Sequence, residues 1–183
     1  MLFRSDAEAF LKQQATWAKL LPNKWSFVFP GTTALGARSI HGSDGLSILH
    51  TSHKRVCISA DKPIPPTLDK YYFEVTLKPI SEDIIPLSFQ PRHPEFAIGF
   101  CTVGGAAIRF PGWAREYRTP PIPGSVAESW GYMGDDGSVW ASHSSVTYDA
   151  DEPEEWRTSV GDTVGAGVDL VEGVVWFTKN GAK

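Results

Sequence analysis

The 183-residue sequence has only two cysteines and no Asn-x-Ser/Thr glycosylation site. Cys57 and Cys101 each lie in an apolar run of the kind that forms strands, so we expect two buried free thiols in a reducing compartment. A disulfide or a catalytic thiol is the alternative. Because the N-terminus also lacks the charged, apolar and small-residue order of a secretory signal, a cytoplasmic or nuclear protein is predicted.

Long apolar runs and basic clusters are missing as well. No apolar run approaches the roughly 18 residues that a membrane span requires. The net charge is −4, from 17 basic and 21 acidic residues, and the basic residues form no stripe that could follow a nucleic-acid backbone. The sequence therefore predicts neither a membrane protein nor a nucleic-acid binder.

Motifs that carry catalysis or hold metals are absent too. There is no Gly-x-Ser-x-Gly, Cys-x-x-Cys or phosphate-binding loop, and the five histidines have no metal-ligand spacing. Glu74 and Asp169 could supply the carboxylate pair of a glycosidase, but nothing selects them and a solvated outer face explains both. We expect no catalytic residues, no metal and no cofactor. The alternative is a carbohydrate-binding or glycoside-processing β-sandwich, since Trp-rich sandwiches include both.

What the chain does contain is aromatic residues in short alternating runs. Aromatics make up 12% of the sequence, which has seven tryptophans. Period-2 alternation between turn signals is typical of strands. Strands are predicted at 25–29, 37–41, 46–50, 55–59, 71–77, 95–101, 129–133, 138–142, 164–170 and 174–178. Short strands without βαβ alternation indicate an all-β protein, an antiparallel two-sheet β-sandwich over residues 24–183.

A flanking helix is predicted over residues 5–21, in the N-terminal segment 1–23. Ser5 and Glu8 form a capping box, an apolar stripe follows at helical spacing, and Pro22 ends the segment. We expect the stripe to pack on the protein's own sheet. A partner-binding helix is the alternative.

The stretch Ser129–Gly137 predicts a β-hairpin. Trp130 and Tyr132 alternate with small residues and lead into a Gly-Asp-Asp-Gly corner, where Asp and Gly tolerate the positive φ of tight turns. Asp135 and Asp136 lie at its tip, where they could serve the turn, a metal or a partner. A calcium site would need more oxygen ligands and a distal Glu, which the sequence does not supply.

Two other segments have the composition of binding loops. Residues 62–66 and 110–118 combine proline-stiffened backbone with aromatic or basic side chains, which lose little entropy on binding. Phe110 and Trp113 are also suited to plug the core. The acidic run 149–155 is expected to be a solvated loop. The candidate protein-binding residues are Lys62, Pro63, Pro65, Arg115, Tyr117, Arg118, Asp135 and Asp136.

Taken in order, these runs resemble the SPRY (B30.2-related) domain family, and most of all its Ran-binding-protein-M-like class. The resemblance rests on Asp61–Pro65, Tyr71–Val75, Phe96–Phe100, Phe110–Trp113, Ser129–Gly137, Gly161–Leu170 and Trp176–Gly181. It implies a curved, concanavalin-like β-sandwich that binds a peptide or protein surface through loops at one edge. It also implies an adaptor or complex subunit rather than an enzyme.

Two departures from the family pattern qualify this expectation. Residues 114–128 look inserted before the Ser-Trp-Gly-Tyr strand, and the strands that follow the Lys-Asn-Gly turn in the family are absent. The predicted domain is therefore C-terminally incomplete. Either the sequence is a fragment, which could lack independent activity, or something else covers the exposed sheet edge.

Overall fold

The computed structural model describes residues 19–27, 39–41, 44, 46–50, 58–80, 95–102, 122–142, 144–146 and 153–183. These residues fall into two compact units that divide between Leu68 and Asp69. The elements of the first unit are β1 Trp25–Phe27, β2 Ser39–His41, β3 Ile48–His50 and β4 Ile58–Ala60. Those of the second are β5 Lys70–Thr76, β6 Ala97–Cys101, β7 Ser129–Met133, β8 Val139–Ala141, β9 Ser144–Val146, α1 Pro153–Trp156, β10 Thr163–Asp169 and β11 Val174–Lys179.

The first unit contains two antiparallel strand pairs, β1 with β4 and β2 with β3. Asp44 organises the turn before β3, because its carboxylate accepts the N–H groups of Leu46 and Ser47 at 2.8 and 2.9 Å. These bonds lower the pKa of Asp44, since they favour the charged form. The predicted turn between β2 and β3 is thus an Asp-centred turn.

The second unit is a two-sheet antiparallel sandwich. One sheet has the order β11-β10-β5 and the other the order β6-β7-β8-β9. The hairpin of β7 and β8 pairs Trp130 with Ala141 and Tyr132 with Val139, as the alternation of aromatic residues predicts. For the second unit, the predicted antiparallel β-sandwich is therefore confirmed, whereas its extent over residues 24–183 stays a prediction.

The core of this unit lies between the two sheets. Strand β5 alternates along its whole length: Tyr71, Phe73 and Val75 are half-buried, and the residues between them are exposed. Phe73 meets Phe100 of the other sheet edge-on, with ring centroids 5.6 Å apart. The buried cluster comprises Ile98, Tyr132, Val164, Ala166 and Phe177. The period-2 pattern of the sequence thus defines which face of each strand forms the core.

Several expectations require correction or stay predictions. Cys101 is exposed rather than buried, because β6 ends there, although partial desolvation still raises the pKa of its thiol. Strand β9 and the helical turn α1, which overlaps the acidic run, were not predicted. Residues 19 and 20 are helical and residue 21 is not, whereas residues 5–18 of the predicted helix and Cys57 lie outside the described residues. The division at residue 23 also stays a prediction.

The described part of the chain contains no helix with the length and apolar character needed to cross a membrane.

Candidate functional site

The Gly-Asp-Asp-Gly corner gives its two carboxylates different roles. Asp136 accepts the Ser138 N–H at 2.8 Å and so closes the turn. Gly137 has φ of +76°, a conformation that favours glycine, and its N–H donates to the Met133 carbonyl at 2.9 Å. Asp135 is exposed, and no side-chain hydrogen bond holds it among the described residues. Both carboxylates are exposed, but the corner uses Asp136 to close the turn, and Asp135 has no such role among the described residues.

The corner is fastened to the body of the sandwich from both sides. The Gly134 N–H donates to the Phe96 carbonyl at 2.9 Å, and the Gly134 carbonyl accepts the Thr158 N–H at 2.8 Å. A side chain at Gly134 would overlap the Phe96 ring, so glycine is required for this close approach. These bonds hold the corner in one conformation, which lowers the entropy that a partner would have to remove on binding.

Tyr132 connects the corner to the segment after α1. Its side chain is only 1% exposed. Its hydroxyl donates to the Trp156 carbonyl and lies 2.9 Å from the Thr158 hydroxyl. Burial is the main reason that the pKa of Tyr132 is raised, with smaller contributions from Asp162, Asp136 and Asp135. The buried tyrosine thus holds residues 156–158 beside the base of the corner.

The Lys-Asn-Gly turn lies next to the same segment. Lys179 donates from Nζ to the carbonyls of Glu155 and Arg157, both at 2.6 Å, and lies 3.6 Å from Asp162. Asn180 donates to Asp162 at 2.8 Å. Burial opposes ionisation of Asp162, but these partners and the Ser159 N–H outweigh it, so the pKa of Asp162 is lowered. These hydrogen bonds give the Lys-Asn-Gly motif a structural role.

An open cleft of about 340 Å³ lies beside this turn. Its lining consists of Glu155, Trp156, Lys179, Asn180 and Ala182. The polar groups of Lys179 and Asn180 are already engaged within the protein. Within the described ranges, no group of three or more His, Cys, Asp or Glu side chains could hold a metal ion. The described residues that line this cleft therefore form a concave surface but not a catalytic or metal-binding site.

The opposite end of β7 anchors the last residues of the long excursion. Ser129 is buried, and its hydroxyl accepts the Gly124 N–H at 2.8 Å and donates to the Val126 carbonyl at 2.6 Å. Glu128 and Ser142 both have positive φ, 55° and 47°, and the Glu128 N–H donates to the Ser142 hydroxyl. Non-glycine residues in this region are strained and persist only where neighbours hold them.

The predicted binding residues come from three separate segments of the chain, 62–65, 115–118 and 135–136. Asp135 and Asp136 follow the end of β7, whereas the anchored end of the excursion precedes its start, so five residues of extended chain, about 13–17 Å, separate them. In the other unit, Pro63 is exposed and Pro65 is partly buried. Lys62 donates from Nζ to the Lys19 carbonyl at 2.8 Å. Arg115, Tyr117 and Arg118 lie outside the described residues.

Asp169 differs from the prediction of a solvated residue. It lies on the outer face of the three-stranded sheet but is only 6% exposed. Its carboxylate accepts the N–H groups of Val171 and Glu172 at 3.0 and 2.9 Å and pairs with Lys70 at 2.9 Å. The Glu172 N–H and the Lys70 ammonium are the main reasons that the pKa of Asp169 is lowered. Its role is to hold the turn between β10 and β11.

The same geometry weakens the glycosidase alternative for Glu74 and Asp169. Glu74 faces Gly165 in the register, whereas Asp169 faces Lys70. The two carboxylates are therefore four residues apart along the sheet, about 13 Å, which exceeds the separation of roughly 5–10 Å used by glycosidases. This pair does not form a glycosidase site.

Sequence reasoning overlooked an aromatic row on this outer face. Tyr72 and Trp176 lie on either side of Gly167 in the register of the sheet. Tyr72 is 42% exposed, and its hydroxyl lies 2.7 Å from Glu74 and 2.8 Å from the Thr178 hydroxyl. The signal available in the sequence is the Gly-Ala-Gly pattern in β10, which removes the side chains between the two aromatic residues.

The fold of the second unit defines the class of this protein, an antiparallel β-sandwich domain. A sequence profile of the SPRY domain matches residues 70–183, which begins almost where the second unit begins. The chain belongs to the SPRY domain family.

The curated relatives are Ran-binding proteins. The chain is 30% identical to Ran-binding protein 9 of Xenopus tropicalis over 131 residues, which cover 72% of this chain and 19% of that protein. It is 28% identical to Ran-binding protein 9 of Homo sapiens over 165 residues, 88% of this chain and 18% of that protein. Ran-binding protein 10 of Danio rerio is 28% identical over 166 residues, with shares of 88% and 22%. The chain spans about a fifth of these relatives' length.

These comparisons confirm the predicted resemblance to SPRY domains of the Ran-binding-protein class. The family and its relatives point to a protein-interaction module, and its members are generally not enzymes.

Proposed function

We propose that this chain is a non-enzymatic interaction module that recognises a peptide or protein surface through its edge loops, as an adaptor or complex subunit. The observation that carries the proposal is the Gly-Asp-Asp-Gly corner. It is held on both sides by backbone hydrogen bonds of 2.8–2.9 Å and leaves the Asp135 carboxylate exposed. A rigid exposed carboxylate suits a basic or N–H-rich partner surface, because it accepts charge-assisted hydrogen bonds without first becoming ordered.

The remaining predicted residues extend this proposal to other loops. Arg115, Tyr117 and Arg118 are candidates by residue type, since Arg and Tyr are enriched among residues that dominate binding energy. Pro63 is exposed and can contribute a stiff contact. Lys62 is a weaker candidate than its charge alone suggested, because its ammonium already donates to the Lys19 carbonyl. We place the module in the cytoplasm or the nucleus.

The test is affinity capture of cellular proteins followed by quantitative mass spectrometry. Wild-type protein is compared with Asp135→Ala and with the double variant Tyr117→Ala/Arg118→Ala. Glu172→Ala, an exposed change at the turn after β10, is the matched control. We expect partners to be lost with the loop variants and retained with the control. Unchanged recovery by both loop variants would reject edge-loop recognition.

A further inference from the structure

The outer face of the three-stranded sheet carries two aromatic side chains beside a glycine-lined strip. Because Gly167 has no side chain, the Trp176 ring lies over it, and a Cβ atom there would overlap the ring. Tyr72 leans over Gly165 in the same way, towards Thr178. Both aromatic side chains therefore lie flat against the backbone of β10, and Tyr72 is 42% exposed.

The Trp176 ring is in contact with a cation from the same chain. The Lys183 ammonium lies over the ring, 4.7 Å from its centroid. This position follows from the Asn-Gly turn, in which Asn180 and Gly181 have φ of 52° and 81° and Lys179 bridges to Ala182. The next residue, Lys183, is thereby brought diagonally beside Trp176, where cross-strand side chains meet. An ammonium over an indole face is attracted by the negative potential of the ring.

The charges around the ring favour a cation as well. Glu74 lies one row further along the sheet, is exposed, and is hydrogen-bonded by the Tyr72 hydroxyl at 2.7 Å. Lys70 lies one row in the other direction, but it is paired with Asp169 at 2.9 Å, so its charge is largely balanced. Apart from Lys183, the face thus carries one carboxylate without an opposite charge among the described residues.

We propose that Tyr72, Glu74 and Trp176 form a receptor for a lysine or arginine side chain of a partner polypeptide. Trp176 supplies the face that attracts the cation, Glu74 supplies the opposite charge, and Tyr72 holds the Glu74 carboxylate in place. Lys183 occupies the receptor from within the same chain and competes with the partner. This surface lies on the sheet rather than on the edge loops, so it is independent of the proposed loop recognition.

The probe for the test is acetyl-Ala-Lys-Ala-Lys-Ala-amide, titrated into the full chain while the indole N–H resonances are followed by ¹H–¹⁵N NMR. The resonance of Trp176 is assigned from its disappearance in Trp176→Phe, and the other six tryptophans are internal controls. We expect the Trp176 resonance to move with the lysine peptide and not with a norleucine analogue. Lys183→Gln should tighten binding about two- to fivefold, the strength of an exposed cation–π contact. Glu74→Gln should weaken it.

Three results would overturn the receptor. The first is no movement of the Trp176 resonance in Lys183→Gln, where no internal competitor remains. The second is equal movement with the norleucine peptide, which would show a merely apolar contact. The third is movement caused by a neutral oligosaccharide and not by the lysine peptide, which would make the face a sugar platform. Asp135→Ala should leave the titration unchanged, so this inference and loop recognition fail separately.

Discussion

The hydroxyl group of Tyr132 offers the sharpest test of how the corner is held. Tyr132→Phe removes one oxygen atom and leaves the aromatic packing against Phe177 in place, where the ring centroids are 6.0 Å apart. The hydroxyl donates to the Trp156 carbonyl and meets the Thr158 hydroxyl at 2.9 Å. Because the side chain is 1% exposed, water cannot take over these bonds.

The expected loss follows from two buried hydrogen bonds, each with a net value near 1 kcal/mol. The free energy of unfolding should fall by about 1–3 kcal/mol, which lowers Tm by about 2–12 °C for a chain of this length. Tyr72→Phe is the matched control, because its hydroxyl also has two partners but the residue is 42% exposed. We expect the control to lose less than about 1 kcal/mol, since water can replace exposed bonds.

The assay is urea unfolding and a thermal scan of both variants, together with amide hydrogen exchange. The Thr158 N–H, which donates to the Gly134 carbonyl, should exchange faster in Tyr132→Phe alone. Alkaline pH adds a further check. The pKa of Tyr132 is raised above its ordinary value of 10.0. The stability that its protonated hydroxyl contributes is therefore fully present below pH 10.0 and is lost as the pH rises through the pKa of the folded state. Equal losses in the two variants would refute burial as the cause.

Three further changes test other parts of the second unit. Asp162→Asn should be less stable than wild type at pH 6. Because the pKa of this carboxyl is lowered in the folded state, the difference in unfolding free energy should shrink as the pH falls below 3.8. A difference that persists at pH 2 would show that ionisation of Asp162 is not the cause. Gly131→Ala should lower the free energy of unfolding in urea by about 1–3 kcal/mol, because its Cβ would overlap the Pro123 carbonyl. Gly173→Asn should lower it little, because this position has open space and Asn tolerates a φ of 66°. Asp136→Ala should lose about 0.5–2 kcal/mol, as a lost cap does, and Asp135→Ala less than about 0.5 kcal/mol; similar losses would mean that both carboxylates serve the turn.

The candidate site could be predicted only in part. The Gly-Asp-Asp-Gly motif predicts a corner, but its adjacent carboxylates are chemically equivalent in the sequence. Only the observed N–H donor of Ser138 distinguishes Asp136 from Asp135. The same limit applies to Asp169, since its burial depends on a lysine about 100 positions earlier in the chain. The role of Asp169, which depends on a partner far away in the sequence, therefore leaves no local pattern.

Missed elements have a similar explanation. The turn between β8 and β9 contains Ser142 at a φ of 47° and no glycine, so no turn signal marks it. Residues Pro153–Trp156 form a helical turn within a run that looks like a solvated acidic loop.

The sequence alone determined the all-β class, most strands, the hairpin at Ser129–Gly137 and the family. These follow from period-2 alternation, turn chemistry and motif order, which are properties of neighbouring residues. The tertiary structure alone decided which Asp closes the turn, why Lys179 and Asn180 surround Asp162, and that Tyr72 and Trp176 share one face. The reasons are physical: the two adjacent carboxylates are equivalent in the sequence, and sheet register joins Tyr72 to Trp176 from about 100 positions apart, a pairing that no local pattern specifies.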